Sequence, residues 1–301
     1  MFRLLRFAGI AVILLGSHAA LAASGKFFIV GMGTAPDLIT VRGAEVIRKA
    51  DIILLERPFE RDVWKNFIGN KEVWYCPNGA RVGLGVDPKI VKDPDVRATV
   101  EQNAKYRQET VDKIRKAVEE GKTVAALESG DPMIFGTTFY LEMLPKDIPS
   151  EIVPGVGAFQ ASTAAVKMSP VFGWDTNSVI LTLDDWPGRS DVNEKLMATQ
   201  TSMIFYTMGL NYPRLFEQLK RHYPAATPVA VVSYAGDQEK QQIIRSTVGK
   251  FLTEVDYKKL PASAHTLLVG KFLEVGQARA DALLGAKNTV ERIHGATPTA
   301  K

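Results

Sequence analysis

The stretch Leu127-Glu-Ser-Gly-Asp-Pro-Met-Ile-Phe-Gly136 limits the possible folds more than any other. Before it, Thr123-Val-Ala-Ala-Leu127 is an unbroken apolar run, the pattern of a strand buried on both faces. After it, Thr137–Leu144 carries apolar side chains at helical spacing and stops at Pro145. A buried strand thus runs into a Gly-Asp-Pro turn and a helix leaves it. In open α/β sheets, ligands bind in the crevice beyond the carboxyl ends of the strands. Gly130 and Gly136 leave backbone bare at that point, so a flat molecule can lie against peptide groups.

The same unit recurs along the chain. Phe27-Phe-Ile-Val30 reads as a strand ending in the turn Gly31-Met-Gly33. A helix follows with Thr40 as N-cap and Val41, Ala44, Val46, Ile47 and Ala50 on its buried side, and Asp51–Glu56 is the next strand. Gly31-x-Gly33 lacks the third glycine of a dinucleotide fingerprint and does not open directly into the helix, so it is a weak signal for NAD. Trp64 and Trp74 are expected in the core. Val96–Glu120 reads as a long amphipathic helix with Gly121 as C-cap. Arg81, Lys89, Lys92, Arg97, Lys105 and Arg107 make residues 81–107 basic, and most are expected on a solvated face. Glu151–Val166 reads as a strand, a Pro-Gly turn and an alanine-rich helix. Ser178–Leu183, Thr201–Tyr206 and Pro228–Ser233 are further strands, and Pro213–His222 is a helix. Gln241–Ser246 and His265–Val269 are expected as antiparallel edge strands.

Cys76 is the only cysteine, which excludes an intrachain disulfide and a thiolate cluster. The four histidines have no metal-site spacing, so no metal is expected. A net charge of +4 suits an acidic small molecule but is too weak to argue for nucleic acid. The first 23 residues have Arg3 and Arg6, an apolar block Phe7–Gly16 and the small-x-small element Ala20-Leu-Ala22, the pattern of a secretory signal peptide. The expected location is periplasmic or secreted. An uncleaved segment would make a membrane anchor instead, and a misplaced start codon a cytoplasmic protein. The expected organisation is a signal segment 1–23, an N-terminal α/β domain 24–136, a C-terminal α/β domain 137–277 and a mobile tail 278–301.

Taken together, five motifs resemble the tetrapyrrole (corrin and porphyrin) methylase family, which uses S-adenosylmethionine. They are Val30–Gly33 with Leu38–Glu56, Ser129–Gly136, Val153–Gln160, Phe205–Leu210 and Pro228–Ser233, in family order over residues 27–270. The resemblance implies two unequal α/β domains, a cofactor cleft between them and a homodimer. It implies cofactor contacts at Ser129, Gly130, Asp131, Ile134, Gly157, Ala158, Met208 and Ala235, with Gly31 and Gly33 of the first turn. It implies methyl transfer to an electron-rich ring carbon of a tetrapyrrole, with Glu56 as the candidate base and Arg81 and Arg97 as partners for substrate carboxylates. For Glu56 an ion pair with Arg57 or Arg42 is the competing role. The sequence departs from the family's Gly-x-Gly-Pro-Gly-Asp loop: Gly33 is followed by Thr34-Ala-Pro-Asp37, one residue shorter. With the export signal, this departure leaves a second reading open, an exported tetrapyrrole-binding protein of the same fold that has lost transfer.

Overall fold

The structure, a computed structural model, describes residues 25–76, 83–134, 139–171, 178–185, 192–207 and 209–274. The signal segment, Arg81, Gly136, Met208 and the expected tail lie outside the described residues.

The strands are β1 (Lys26–Gly31), β2 (Ile52–Leu55), β3 (Glu72–Tyr75), β4 (Thr123–Glu128), β5 (Ser150–Val153), β6 (Val179–Thr182), β7 (Ser202–Tyr206), β8 (Pro228–Ser233), β9 (Gln242–Thr247) and β10 (His265–Val269). The helices are α1 (Val41–Lys49), α2 (Glu60–Val63), α3 (Lys65–Ile68), α4 (Pro94–Glu119), α5 (Phe139–Met143), α6 (Ala158–Val166), α7 (Asn193–Met197), α8 (Tyr212–His222) and α9 (Phe251–Glu254). They build a mixed α/β protein with two sheets, as the sequence suggests. The first sheet, in the order β3-β2-β4-β1-β5, is parallel throughout. It extends through β5 to Val153, past the boundary expected at residue 136.

Helices cover both faces of the first sheet, which is why its strands read as apolar runs and not as alternation. Phe27 and Ile29 of β1 face Val111, Ile114 and Val118 of α4 and Phe139 and Tyr140 of α5. Val30 and Met32 face Ile47 of α1 and Ile68 of α3, together with Trp64. Thr40 caps α1 as expected, its side chain accepting from the Gly43 N–H at 3.0 Å. Val41, expected on the buried side, is 81% exposed, because it opens the helix before the chain turns toward the sheet. Two basic residues also depart from the solvated face. Arg107 is buried on α4, and Arg97 donates from Nε and Nη2 to the Val91 carbonyl at 3.0 and 2.7 Å.

The second sheet has the order β6-β7-β10-β8-β9. β6 and β7 are parallel, and β10 runs antiparallel between β7 and β8. β9 is the antiparallel edge strand expected, but β10 is not at an edge. All five of its residues are buried, because it is clamped between two apolar strands and covered on both faces. Leu215, Phe216 and Leu219 of α8 and Phe251 of α9 cover one face, and Ala161 and Val166 of α6 pack on the other.

Candidate functional site

Because β1, β2, β4 and β5 run parallel, their carboxyl ends share one edge, and the turns that follow meet there. Three of these tips touch through backbone. Gly33 and Gly130 exchange N–H···O bonds of 3.2 and 2.8 Å, and the Met32 N–H donates to the Glu128 carbonyl at 2.8 Å. A Cβ on Gly155 would lie 2.1 Å from the Gly130 oxygen, and one on Gly31 would lie 2.5 Å from the Gly155 nitrogen. Gly33 and Gly130 both sit at positive φ, 76° and 73°, which an L side chain resists. The side chains are missing because the tips are interlocked.

The tips of β6, β7 and β8 form the opposite wall. The start of β10 joins them, since an antiparallel strand presents its N-terminal end at that edge. Between the walls lies a cleft of about 890 Å³, within the usual range for small-molecule sites. Glu56, Ser129, Gly130, Asp131, Ile134, Gly157, Ala158 and Ala235 all line it. They reach it from the ends of several different strands.

Three expected residues take other roles. Gly31 and Gly33 are not on the cleft wall; they form a backbone crossing with Gly130 and Gly155, where an added Cβ would meet neighbouring backbone. Arg97 is also absent from the wall, its guanidinium being committed to Val91. Arg42 and Arg57 pair with Glu151 and Glu60 at 4.0 and 3.5 Å. The Glu60 carboxylate also accepts the backbone N–H groups of Glu56 and Arg57, at 3.0 and 3.2 Å, which fixes the turn carrying Glu56.

Asp131 shapes the central loop, its carboxylate accepting from the Met133 N–H at 2.8 Å. Ala235 enters the cleft behind Tyr234, a residue in the left-handed region at φ 50°, a conformation unusual for a bulky side chain.

Several wall residues carry no sequence motif. Buried Asp184 pairs with Arg214 at 2.8 Å and accepts the Asn211 N–H at 2.9 Å, tying the end of β6 to the turn before α8. Asn193 accepts from Thr182 and donates to the Leu183 carbonyl, both at 2.6 Å. Among the described residues the lining carries Glu56, Glu60, Glu128, Asp131, Asp184, Asp185 and Asp237; Arg57, Arg214 and Lys240 pair with Glu60, Asp184 and Asp237, and the excess of carboxylates favours a cationic ligand group. Burial, helped by the Asp131 charge, pushes the Tyr206 phenol up to about 12, so it remains a hydrogen-bond donor at neutral pH.

His265 was also unmarked. Its Nδ1 donates to the Pro261 carbonyl at 2.6 Å, so Nε2 accepts from the Tyr212 hydroxyl, while its own carbonyl accepts from Thr207. Burial lowers its pKa below the ordinary 6.5. The neutral imidazole therefore favours the folded state, and the unfolded chain takes up the proton first. The contribution is intact above about pH 6.5 and is lost as pH falls through that value toward the lower folded pKa. Urea unfolding should show a lower midpoint at pH 5.5 than at pH 7.5, with the His265 ring signal titrating below 6.5 in NMR. A ring signal at or above 6.5 would contradict the burial argument.

A double-walled cleft at the strand tips of two sheets defines a class of α/β ligand-binding protein. Residues 26–252 match the model of the Tetrapyrrole (Corrin/Porphyrin) Methylases, and the chain belongs to that family. A cobalt-precorrin-4 C(11)-methyltransferase of Methanocaldococcus jannaschii is 30% identical, the match covering 82% of this chain and 88% of that protein. A uroporphyrinogen-III C-methyltransferase of Bacillus subtilis is 28% identical, over 82% and 90%. Among solved structures, a cobalt precorrin-4 methyltransferase of cobalamin biosynthesis superposes with a TM-score of 0.66 at 22% identity, over 84% of this chain and 97% of that one. A Thermus thermophilus uroporphyrin-III C-methyltransferase complexed with S-adenosylhomocysteine gives 0.60 at 17% identity, over 83% and 99%. These two structures share the fold.

Proposed function

We propose that the protein is an S-adenosylmethionine-dependent C-methyltransferase acting on a tetrapyrrole ring carbon. The observation that carries this reading is the meeting of Gly130, Gly157, Ala158 and Ala235, from separate strand tips, on one cleft. The residues fit an adenosyl group: the cradle is nearly bare of side chains, and a Cβ on Gly157 would lie 2.9 Å from Gln160 Oε1 and 3.4 Å from Asp131 Cβ. The acidic lining complements a sulfonium. Relatives that methylate uroporphyrinogen III and cobalt-precorrin-4 support the substrate class.

When bound, S-adenosylmethionine supplies a methyl group already activated by its positive sulfur. The chain's own work is alignment. Backbone at Gly130, Gly157 and Ala235 and the side chain of Asp131 would hold the donor, and rigid alignment of donor and acceptor contributes about 7–11 kcal/mol in favourable cases. To Glu56, which lines the cleft and whose backbone N–H is held by Glu60, we assign the uptake of the proton released by the ring carbon. Arg57 lines the same mouth and suits a substrate carboxylate.

Incubation of the full chain with methyl-labelled S-adenosylmethionine and reduced uroporphyrinogen III or cobalt-precorrin-4 should place label on the ring. Absence of S-adenosylhomocysteine binding by calorimetry would overturn the reading. Tetrapyrrole binding without donor binding would select an exported binding protein in its place. A homodimer and an exported location belong to the same proposal; light scattering and N-terminal sequencing of the protein from cell fractions test them.

A further inference from the structure

One cleft residue holds a backbone conformation that its side chain resists. Among the described residues, Lys167, Gln200 and Tyr234 are the non-glycines at positive φ. Lys167 is the left-handed cap that ends α6, and Gln200 closes the turn after α7, its N–H donating to the Met197 carbonyl at 3.0 Å; neither borders the cleft. Tyr234 does, directly after β8, and it is 40% exposed. Hydrogen bonds fix the turn around it. The Tyr234 N–H donates to the Ala264 carbonyl at 2.8 Å, its own carbonyl accepts from the Asp237 N–H at 3.0 Å, and the Gly236 N–H donates to Gln241 Oε1 at 2.8 Å. Glycine or asparagine would make this turn with less strain. Strain held in this way at a ligand cleft points to a use for the tyrosine ring.

The ring stands at one end of an apolar wall. Leu181 of β6 pairs in register with Ile204 of β7, and Tyr206, Thr266 and Val232 pair side by side across β7, β10 and β8. Ile204 and Val232 belong to the face on which Ala161 and Val166 of α6 pack, so Leu181 shares that face. Leu181 and Leu196 of α7 both line the cleft, and each is 37% exposed there. From β6 to β8 the wall crosses three strand intervals, about 14 Å at the usual strand separation. That width suits a flat macrocycle and exceeds what a nucleoside base covers. Among the described residues of the lining, the charged groups on this side are Asp184, Asp185 and Asp237. Asp184 and Asp237 pair with Arg214 and Lys240, and Asp185 accepts the Asn193 N–H at 2.8 Å. A ligand carboxylate laid on this wall would lose hydration against apolar side chains and meet like charge at the rim. Arg57, the cation described on the lining, follows β2 on the first sheet's side.

We propose that Leu181, Leu196 and Tyr234 form a specificity surface that seats an uncharged, alkyl-substituted edge of the tetrapyrrole and disfavours an edge bearing carboxylates. The acceptor class is then a two-sided ring, with carboxylates toward Arg57 and methyl-like substituents toward the second sheet. The inference rests on the tetrapyrrole reading above and deepens it.

The test titrates the full chain with two stable porphyrins and follows their fluorescence. Uroporphyrin III carries acetates where coproporphyrin III carries methyls. The wild-type chain should bind coproporphyrin III about tenfold more tightly. Tyr234→Asn should weaken coproporphyrin III about three- to tenfold and leave S-adenosylhomocysteine affinity unchanged. Its melting temperature should equal or exceed that of the wild type, because asparagine accepts the left-handed region. Leu196→Lys keeps helix propensity and adds a cation to the wall, so it should narrow the preference or reverse it. Lost S-adenosylhomocysteine affinity in Tyr234→Asn would place the ring on the donor and overturn the proposal. So would a lower melting temperature with both porphyrin affinities unaltered, the signature of a merely structural side chain. If the wild-type chain binds neither porphyrin, the tetrapyrrole reading falls and this inference falls with it. Equal affinity for the two, or a preference for uroporphyrin III, refutes the inference alone.

Discussion

Replacing Gly155 by Ala is expected to destabilise the protein by about 3 kcal/mol, at the upper end of ordinary overpacking effects, and to abolish donor binding. The new Cβ would lie 2.1 Å from the Gly130 oxygen and 2.8 and 2.9 Å from Gly31 C and Cα. Every one of these is a backbone atom, so no side chain can swing aside to relieve the clash. Relief requires the tips of β1, β4 and β5 to separate, which opens the floor of the cleft. Gly130→Ala makes the control within the same crossing. Its Cβ meets nothing closer than 3.8 Å, so the cost is the strain of a side chain at φ 73°, about 1–2 kcal/mol. Urea denaturation should rank the two variants in that order. Equal midpoints would mean that the tips tolerate separation and that the interlock does not form the cradle.

Ala158→Leu is expected to do the reverse, sparing the fold and blocking the site. Ala158 opens α6 and lines the cleft, and leucine is a good helix former, so the helix should keep its stability. The larger side chain occupies space assigned to the donor. Affinity for S-adenosylhomocysteine should fall at least a hundredfold, about 2.8 kcal/mol, with a melting temperature close to wild type. Undiminished binding would move the donor away from this wall.

What the sequence made legible follows from how local each signal is. Apolar runs closed by glycine or proline marked the parallel strands, because a strand covered on both faces needs no polar alternation. Thr40 was readable as a cap for the same reason: its partner, Gly43, lies three residues away. The eight expected site residues that line the cleft were reached through motifs at strand ends. The position of β10 was not legible, since strand order in a sheet is a non-local property, and with it went His265 at the cleft edge. Asp184 and Asn193 were missed because a lone polar residue after an apolar strand looks like any loop residue; its partners come from α8, α7 and the segments around them. Arg97 misled because charge alone does not reveal that a guanidinium is spent on a carbonyl six residues back. Gly31 and Gly33 misled differently: a bare glycine turn serves a ligand or a neighbouring backbone equally well, and here Gly130 and Gly155 are the neighbours.

A crystal structure of the full chain grown with S-adenosylhomocysteine tests the central claim most directly. The adenosyl group should lie between the Ser129–Ile134 loop and Ala235, against Gly157 and Ala158. A nucleoside seated elsewhere, or a cleft left empty at millimolar ligand, would contradict it.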